Sequence, residues 1–180
     1  MGRYRPPAPA KSKYITPAGK QRLQAEYDYL WRVKRPQVTR SVTEAAAQGD
    51  RSENAEYIYG KKQLREIDAR VRYLQKRLSD ITVVETVPTD QQCVYFGAWV
   101  TLEDQHGERA KYRIVGPDEF DDAPEYISMD SPLARALMKK RIADEVNVRL
   151  PNGHQVYCII DVCYDQSPSK SIEKDTWKDD

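Results

Sequence analysis

The sequence predicts an α+β protein, in which an N-terminal antiparallel α-helical coiled-coil hairpin precedes a small antiparallel sheet domain with one helix. Apolar residues recur at helical spacing up to about residue 81, and beyond it they alternate with polar residues and are often β-branched. The charge divides at the same point. Residues 1–80 hold 18 basic and 9 acidic side chains, whereas residues 81–180 hold 11 basic and 19 acidic ones. Such a division is typical of two parts with different partners.

Composition excludes several classes of protein. The 180 residues are 39% hydrophobic and 32% charged, and no apolar run approaches the ~20 residues that cross a bilayer. The first residues also lack the apolar core of a signal peptide. Three cysteines without a CxxC spacing argue against a disulfide framework or a zinc site. We therefore expect a cytoplasmic protein without membrane contact.

The first arm of the hairpin is predicted to begin at Thr16 and Pro17, a capping hydroxyl followed by proline at the first helical position. Helix-favouring residues then continue to Gln48 with a single breaker, Pro36. Because proline removes one backbone hydrogen bond, we expect the arm to kink or unwind locally there.

The second arm shows the clearest pattern in the sequence, a 3-4 apolar repeat with mostly polar residues between. Its members are Tyr57, Leu64, Ile67, Val71, Leu74, Leu78 and Ile81, and Gly60 is the one position of the repeat without a side chain. So narrow a stripe needs a partner helix, and the first arm is the nearest one. Arms of about 30 residues make a rod on the order of 45 Å long, and Gly49-Asp50 is the predicted turn.

Period-two patterns in the second half predict two hairpins. The first joins residues 94–103 and 109–115 around His106-Gly107, and the second joins residues 146–150 and 155–162 around Pro151-Asn152-Gly153. Residues 126–129 suit a further strand. A short helix over residues 133–141 is predicted after Ser131-Pro132.

Two carboxylates near the predicted turn are candidate functional groups. Asp50 and Glu53 are three residues apart, so they converge on one side at a helix start. A pair of carboxylates with few other ligands suits Mg²⁺, which keeps several of its waters. The same spacing also fits a capping box, with Asp50 as N-cap and Glu53 bonding back to its amide. The spacing alone favours capping, while a place at the end of a long rod favours the metal.

Basic residues follow the turn on the second arm. Lys61, Lys62 and Arg65 fall outside the apolar stripe and are able to face a polyanion. The alternative is an ion-paired, solvated helix face. Residues 118–130 hold six acidic side chains and no basic one, which suits a protein-docking loop or a solvated loop. His106 and His154 are read as loop residues. The sequence has no P-loop, GxSxG or HExxH motif.

At this level of detail the sequence resembles the Gre family of bacterial transcript cleavage factors, the GreB branch more than the GreA branch. The most specific run is GDRSENAEY at residues 49–57. The supporting runs are YLWR at 29–32, RP at 35–36, LREID at 64–68, VRYL at 71–74, FGAWV at 96–100, RIVG at 113–116 and DSPLARAL at 130–137. The likeness covers about residues 13–165 in one register.

The resemblance implies a purpose for the rod. In this family the coiled coil enters the secondary channel of RNA polymerase, and an FKBP-like domain docks at the rim of that channel. The tip stimulates the polymerase to cleave backtracked nascent RNA, whose 3′ end occupies the channel. The resemblance thus implies a transcription elongation factor that is not itself an enzyme, with bacterial RNA polymerase and the RNA 3′ end as partners.

Roles for individual residues follow from the same resemblance. Asp50 and Glu53 are expected to be catalytic, as ligands of a second Mg²⁺ shared with the polymerase and not bound tightly by the factor alone. Lys61 and Lys62 match positions that face the extruded RNA, and Arg65 is added on geometry. Asp130, Ser131 and Pro132 match the polymerase-docking loop.

The expected organisation is a disordered tail over residues 1–12, the hairpin over 13–82, the docking domain over 83–165 and a flexible polar tail over 166–180, in a monomeric protein. Two alternatives remain at this point. One is a channel-entering inhibitor or modulator that acts without cleavage. The other is a coiled-coil or FKBP-like binding protein, such as a chaperone or prolyl isomerase, unrelated to transcription.

Overall fold

The computed structural model describes residues 11–47, 54–150 and 153–164. The chain divides into two compact units, residues 1–84 and 85–180. The predictions for residues 1–10, for the turn at Gly49-Asp50, for Pro151-Asn152 and for the tail over 166–180 therefore lie outside the described residues. Within the described residues, no helix is both long and apolar enough to cross a membrane.

The first arm begins where its capping signal predicts. Helix α1 (Pro17–Tyr29) has Thr16 as N-cap, and the Thr16 hydroxyl accepts a hydrogen bond from the Gly19 amide at 3.1 Å. The arm continues as α2 (Arg35–Ala47) after five π-helical residues, Leu30–Lys34. The Arg35 amide donates to the Leu30 carbonyl, five residues back.

This wider turn directly precedes Pro36, which has no amide hydrogen to donate to residue 32. The predicted local unwinding is confirmed as a π-helical turn.

The second arm is a single helix, α3 (Ala55–Asp80). Its predicted stripe faces the first arm: Ile67 and Val71 are buried with Val38 and Val42 of α2, and Leu64 packs at the edge of that cluster. Ion pairs flank this seam. Arg35 pairs with Asp68 at 2.8 Å, and Arg70 pairs with Glu26 at 2.7 Å. The partner on the first arm moves back along the chain, from Arg35 to Glu26, as the partner on α3 moves forward, from Asp68 to Arg70. The two arms are therefore antiparallel.

A short parallel ladder closes the other end of this unit. Strand β1 (Tyr14–Ile15) pairs with β2 (Thr82–Val83), which follows α3 directly. Ile15 is fully buried together with Leu23 and Leu74. Ser12, which falls within the predicted tail, accepts a hydrogen bond through its carbonyl from the Arg77 guanidinium.

The second unit is a five-stranded sheet in the order β5-β4-β3-β7-β6. The strands are β3 (Trp99–Asp104), β4 (Arg109–Val115), β5 (Tyr126–Ser128), β6 (Glu145–Leu150) and β7 (Gly153–Cys163). Both predicted hairpins form, β3 with β4 and β6 with β7. Helix α4 (Pro132–Leu137) buries Ala134 and Leu137 against the apolar face of the sheet.

Three details of the predicted sheet domain are wrong. Strand β5 runs parallel to β4 because the chain crosses back through residues 116–125, so the sheet is mixed. Residues 94–98 are not part of the first strand, because Gly97 turns the chain with a φ of 86°. The short helix ends at Leu137, because Lys139 adopts a φ of 66° and its amide bonds to Val94. The fold class, an α+β chain with an N-terminal helical hairpin, is confirmed.

Candidate functional site

The two arms of the hairpin lead into the segment that carries the predicted carboxylates. Helix α2 ends at Ala47 and α3 begins at Ala55. Asp50 and Glu53 fall in the interval 48–53, outside the described residues, so their roles remain predictions. The described residues on either side of this interval still constrain what the two carboxylates do.

The N-cap of α3 is Asn54. Its side-chain oxygen accepts a hydrogen bond from the Tyr57 amide at 3.1 Å, and its backbone carbonyl accepts from the Ile58 amide at 3.1 Å. Asn54 has extended backbone angles of −80° and 100°, as an N-cap residue does. The N-cap of α3 is thus Asn54 and not Asp50, while the predicted capping box of Asp50 and Glu53 lies outside the described residues. Asn54 fills the role that the competing interpretation gave to the acidic pair.

The same side chain also reaches the first arm. The Asn54 Nδ2 group donates to the Ala45 carbonyl at 2.9 Å. Ala45 lies in the last turn of α2, where backbone carbonyls lack a partner within the helix. One amide side chain thus satisfies an unpaired group at the end of each arm. Asn54 was not among the predicted site residues, although Asn is a preferred N-cap residue and lies just before the helical repeat.

The predicted basic patch lies on the exposed side of α3. Lys61, Lys62 and Arg65 are all solvent-exposed. Among the described residues none of them has an acidic partner: Lys61 lies 5.9 Å from the centre of the Tyr57 ring, and Arg65 bonds to the Lys61 carbonyl at 3.3 Å.

Other cations of the same helix behave differently. Arg70 forms a two-pronged pair with Glu26, with nitrogen–oxygen distances of 2.7 and 2.8 Å. The ion-paired face offered as the alternative therefore exists further along α3 but does not include the patch. Three charges without described counter-ions are available to a polyanion.

The predicted docking residues, Asp130, Ser131 and Pro132, lie at the start of α4. Ser131 is the N-cap of this helix, and its hydroxyl accepts from the Ala134 amide at 3.2 Å. The Asp130 amide donates to the Ser128 hydroxyl at 3.2 Å, and the Asp130 carboxylate lies 4.0 Å from the Arg135 guanidinium. Pro132 is exposed at the first helical position. The capping bonds fix the backbone here and leave Pro132 and part of Asp130 accessible.

Other titratable groups of the described residues have local partners or are exposed. Glu119, in the acidic loop, is buried and accepts a hydrogen bond from the Gly116 amide at 3.0 Å, so it holds its own loop closed. Backbone amides of the β3–β4 turn, with that of Glu108 foremost, lower the pKa of the Asp104 carboxyl. Both histidines are exposed, but His154 lies in strand β7, so its assignment to a loop is wrong, whereas His106 lies in the β3–β4 turn as predicted. The described ranges contain no group of three or more His, Cys, Asp or Glu side chains able to hold a metal.

Comparisons with known proteins show the family to which this chain belongs. The family model described as "Transcription elongation factor, N-terminal" matches residues 13–83, and the model described as "Transcription elongation factor, GreA/GreB, C-term" matches residues 89–164. Together they cover most of the chain, which belongs to the GreA/GreB family of transcription elongation factors.

The relatives place it further within that family. Transcription elongation factor GreB of Pseudomonas aeruginosa is 60% identical over 93% of this chain and 100% of its own length. GreB of Xanthomonas axonopodis pv. citri is 58% identical over 91% of this chain and 98% of its own. A solved structure, GreA factor homolog 1 of Thermus thermophilus, matches at 25% identity and a TM-score of 0.39, covering 84% of this chain and 99% of that one.

The resemblance drawn from the sequence, to a Gre factor closest to GreB, is confirmed. The alternative of a binding protein unrelated to transcription is wrong, because both halves of the chain match models of transcription elongation factors.

Proposed function

We propose that this elongation factor binds bacterial RNA polymerase, inserts its helical hairpin into the secondary channel and stimulates cleavage of backtracked nascent RNA. In this account Asp50 and Glu53 enter the polymerase active site, and the basic patch of Lys61, Lys62 and Arg65 contacts the extruded RNA. The sheet domain docks on the polymerase through Asp130, Ser131 and Pro132.

The observation that carries the proposal is the cap of α3. Asn54 supplies the oxygen that caps the start of α3. The competing role for Asp50 and Glu53, capping this helix, is therefore already filled. The cap of α3 therefore needs neither Asp50 nor Glu53, and both carboxylates are left for another role. That supports a role as metal ligands.

The donor set suits Mg²⁺ and not a softer metal. Carboxylate oxygens are the ligands that Mg²⁺ prefers, and two of them leave positions for water and for a partner's ligands. When bound there, the ion supplies Lewis-acid stabilisation of charge that develops on phosphate oxygens during phosphodiester hydrolysis. Two ligands do not make a tight site, so we expect the factor alone to bind Mg²⁺ weakly and to have no nuclease activity.

The position and charge of the basic patch support the proposal that it contacts the extruded RNA. Lys61 and Lys62 lie within two turns of the start of α3, and no described acidic side chain neutralises either of them. The positive charges of Lys61 and Lys62 would neutralise phosphate groups of an extruded RNA strand. In this account the patch orients the RNA strand, and the carboxylates act on the scissile phosphate through the Mg²⁺ that they help to hold. Positioning of the RNA and stabilisation of charge therefore come from separate parts of the helical unit.

The test is an RNA cleavage assay on backtracked elongation complexes with the full-length factor. We expect wild type to accelerate cleavage, and Asp50→Asn or Glu53→Gln to remove the acceleration while binding to the polymerase persists. Glu44→Gln is the matched control, because Glu44 is an exposed acid of α2 with no assigned role. It should behave as wild type.

Two results would contradict the proposal in different ways. Full stimulation by the Asp50→Asn, Glu53→Gln double variant would remove the catalytic role of the carboxylates. Binding to the polymerase with slowed synthesis and without stimulated cleavage, in wild type, would establish instead the second candidate, a factor that occludes the channel.

A further inference from the structure

We infer that Trp31 is a stacking site for a base of the extruded RNA, and that the basic surface of α3 continues beyond Arg65 to reach it. The ligand is single-stranded RNA, held by its bases on the indole ring and by its phosphates on the neighbouring cations. The inference rests on the part of the proposed function that places the hairpin beside extruded RNA. It assigns a surface of the first arm to which no role has been given.

The π-helical turn brings Trp31 out of the seam between the two arms. In an unbroken α-helix position 31 would share a face with Val38, Val42 and Ala45, because the spacings of seven, four and three residues follow the helical repeat. Those three residues are buried. The wider turn over Leu30–Lys34 shifts the repeat, so Leu30 packs against the seam while Trp31 is 48% exposed. The fold thus holds a large aromatic ring in solvent.

A cation fixes the position of the exposed ring. The Arg35 guanidinium lies 5.3 Å from the centre of the Trp31 ring, and its Nε donates to the Asp68 carboxylate at 2.8 Å. Because Asp68 belongs to α3, both arms take part in holding the ring beside the seam. Aromatic rings and guanidinium planes are the groups on which unpaired bases stack, and a ring ordered before binding loses little entropy.

The charges beside the ring continue the basic patch. Four charged residues of α3, spaced by four, three and four positions, lie along one side of the helix: Lys61, Arg65, Asp68 and Arg72. Asp68 is the one acid of this series, and Arg35 pairs with it. Arg72 is exposed, and the ion pairs among the described residues do not include it. The series is therefore net positive, and an RNA strand on the patch is able to follow it.

Trp31 lies beside the far end of this series. The two arms are antiparallel, and Arg35 lies opposite Asp68. Trp31 is four residues before the first of these and Arg72 is four residues after the second, so the two lie at about the same level. Arg72 is 17 residues after Ala55, the first residue of α3, which is about 25 Å of helix. At about 3.4 Å per stacked nucleotide, a strand extruded by about two nucleotides falls short of Trp31, and one of about twelve passes it.

The test measures the affinity of the full-length factor for two backtracked elongation complexes, with about two and about twelve nucleotides of extruded RNA. Mg²⁺ is withheld so that the RNA stays intact, and binding is followed by displacement of labelled wild-type factor. The readout is the affinity for the long-RNA complex divided by the affinity for the short-RNA complex. We expect a wild-type ratio above one, and a ratio about tenfold lower in Trp31→Leu, because the stacked base is lost.

Three further variants separate stacking from other effects. Trp31→Phe keeps an aromatic ring and should keep the ratio within about threefold of wild type. Arg72→Gln removes one charge and should lower the ratio about fivefold at about 0.1 M salt; it carries the test if Trp31→Leu loses its helical content. Tyr59→Leu is the matched control, because Tyr59 is a 69% exposed aromatic residue two positions from Lys61 and so on another side of α3. It should keep the wild-type ratio.

The inference is overturned by a wild-type ratio of one, or by the same ratio in wild type and Trp31→Leu. A loss of affinity that is equal for both RNA lengths would assign Trp31 to a contact with the polymerase itself and would also overturn it. So would a ratio as low in Trp31→Phe as in Trp31→Leu, since the ring would then not be what binds.

Failure of the inference and failure of the proposed function are distinguishable, because this measurement needs no cleavage. If wild type stimulates cleavage and the Asp50→Asn, Glu53→Gln double variant does not, while Trp31→Leu keeps the wild-type ratio, the proposed function stands and the inference fails. If Trp31→Leu lowers the ratio but wild type stimulates no cleavage, the contact with RNA stands and the cleavage function fails.

Discussion

Gly60 is the residue whose structural role differs most from its sequence pattern. In the repeat of α3 it is the position without a side chain, which alone suggests a weak point costing about 1 kcal/mol relative to Ala. In the structure a Cβ atom at Gly60 would lie 2.5 Å from Val42 Cγ2. The missing side chain is therefore what allows α2 and α3 to approach closely at this level.

We expect Gly60→Ala to destabilise the helical unit although alanine is the better helix former. Overpacking against a stiff β-branched side chain typically costs about 1–3 kcal/mol, which exceeds the gain of about 1 kcal/mol in helix propensity. Urea denaturation followed by circular dichroism measures the change. Ala69→Gly, at an exposed position of the same helix, is the control for propensity alone.

A double variant sharpens this test. Val42→Ala removes the clashing methyl, so Gly60→Ala should cost less in that background, with a coupling energy of about 1 kcal/mol or more. A Gly60→Ala variant more stable than wild type would contradict the close-packing account.

Tyr164 gives the sheet unit a dependence on alkaline pH. Its hydroxyl donates to the Cys93 carbonyl at 2.6 Å and accepts from the Tyr95 amide at 2.9 Å, and burial raises its pKa to about 12. The folded state favours the protonated phenol, so its stabilisation is complete below the unfolded pKa of about 10. It is lost as the pH rises from there through about 12.

We expect the urea midpoint of wild type to fall between pH 10 and pH 12, and Tyr164→Phe to reduce that fall. The same substitution at the exposed Tyr59 is the control and should leave the slope as it is. An equal slope in wild type and Tyr164→Phe would refute this assignment.

At the scale of elements, the short strand β1 contributes more than its two residues suggest. Ile15 is fully buried with Leu23 and Leu74, and its carbonyl accepts from the Val84 amide at 3.0 Å. We expect Ile15→Ala to lower the free energy of unfolding of the helical unit by about 2–5 kcal/mol, as for other buried isoleucines. Chemical denaturation measures this loss. Ile58→Ala is the matched control at a half-exposed site, and equal losses in the two variants would contradict the role given to β1.

Elements whose signals are local were predictable from the sequence. The starts of α1 and α4 follow from a capping hydroxyl before proline, and α3 follows from an apolar repeat that fails only at Gly60. The first hairpin follows from a turn glycine between alternating runs. Strand β5 was predicted, but its parallel direction was not, because the course of residues 116–125 depends on contacts that no local pattern encodes.

The functional site was predictable only in part, for a related reason. The exposed basic residues were found because a heptad repeat fixes which positions face outward. Asn54 was missed because its second bond, to Ala45, joins two helices and has no signature in either one. The N-cap of α3 was predicted at Asp50 and lies at Asn54, because Asp and Asn are both good N-cap residues and the sequence alone does not choose between them.

At the scale of the whole molecule, the basic patch predicts that the affinity of the factor for complexes with extruded RNA depends on salt concentration. Single-stranded nucleic acid loses affinity with salt at a slope of about −0.7 per neutralised phosphate. Replacing Lys61, Lys62 and Arg65 by Gln should therefore reduce the slope of log affinity against log salt by about two, for complexes with extruded RNA. Arg40→Gln, an exposed cation of α2, is the control. An unchanged slope would mean that the patch does not contact RNA.

The central claim is that this elongation factor lends two carboxylates to a weakly held Mg²⁺ in the polymerase. The most direct measurement is the Mg²⁺ concentration for half-maximal cleavage in backtracked complexes, with no factor, with wild type and with the Asp50→Asn, Glu53→Gln double variant. The account predicts a lower requirement with wild type and a return to the factor-free value with the double variant. The same Mg²⁺ requirement in all three would contradict it.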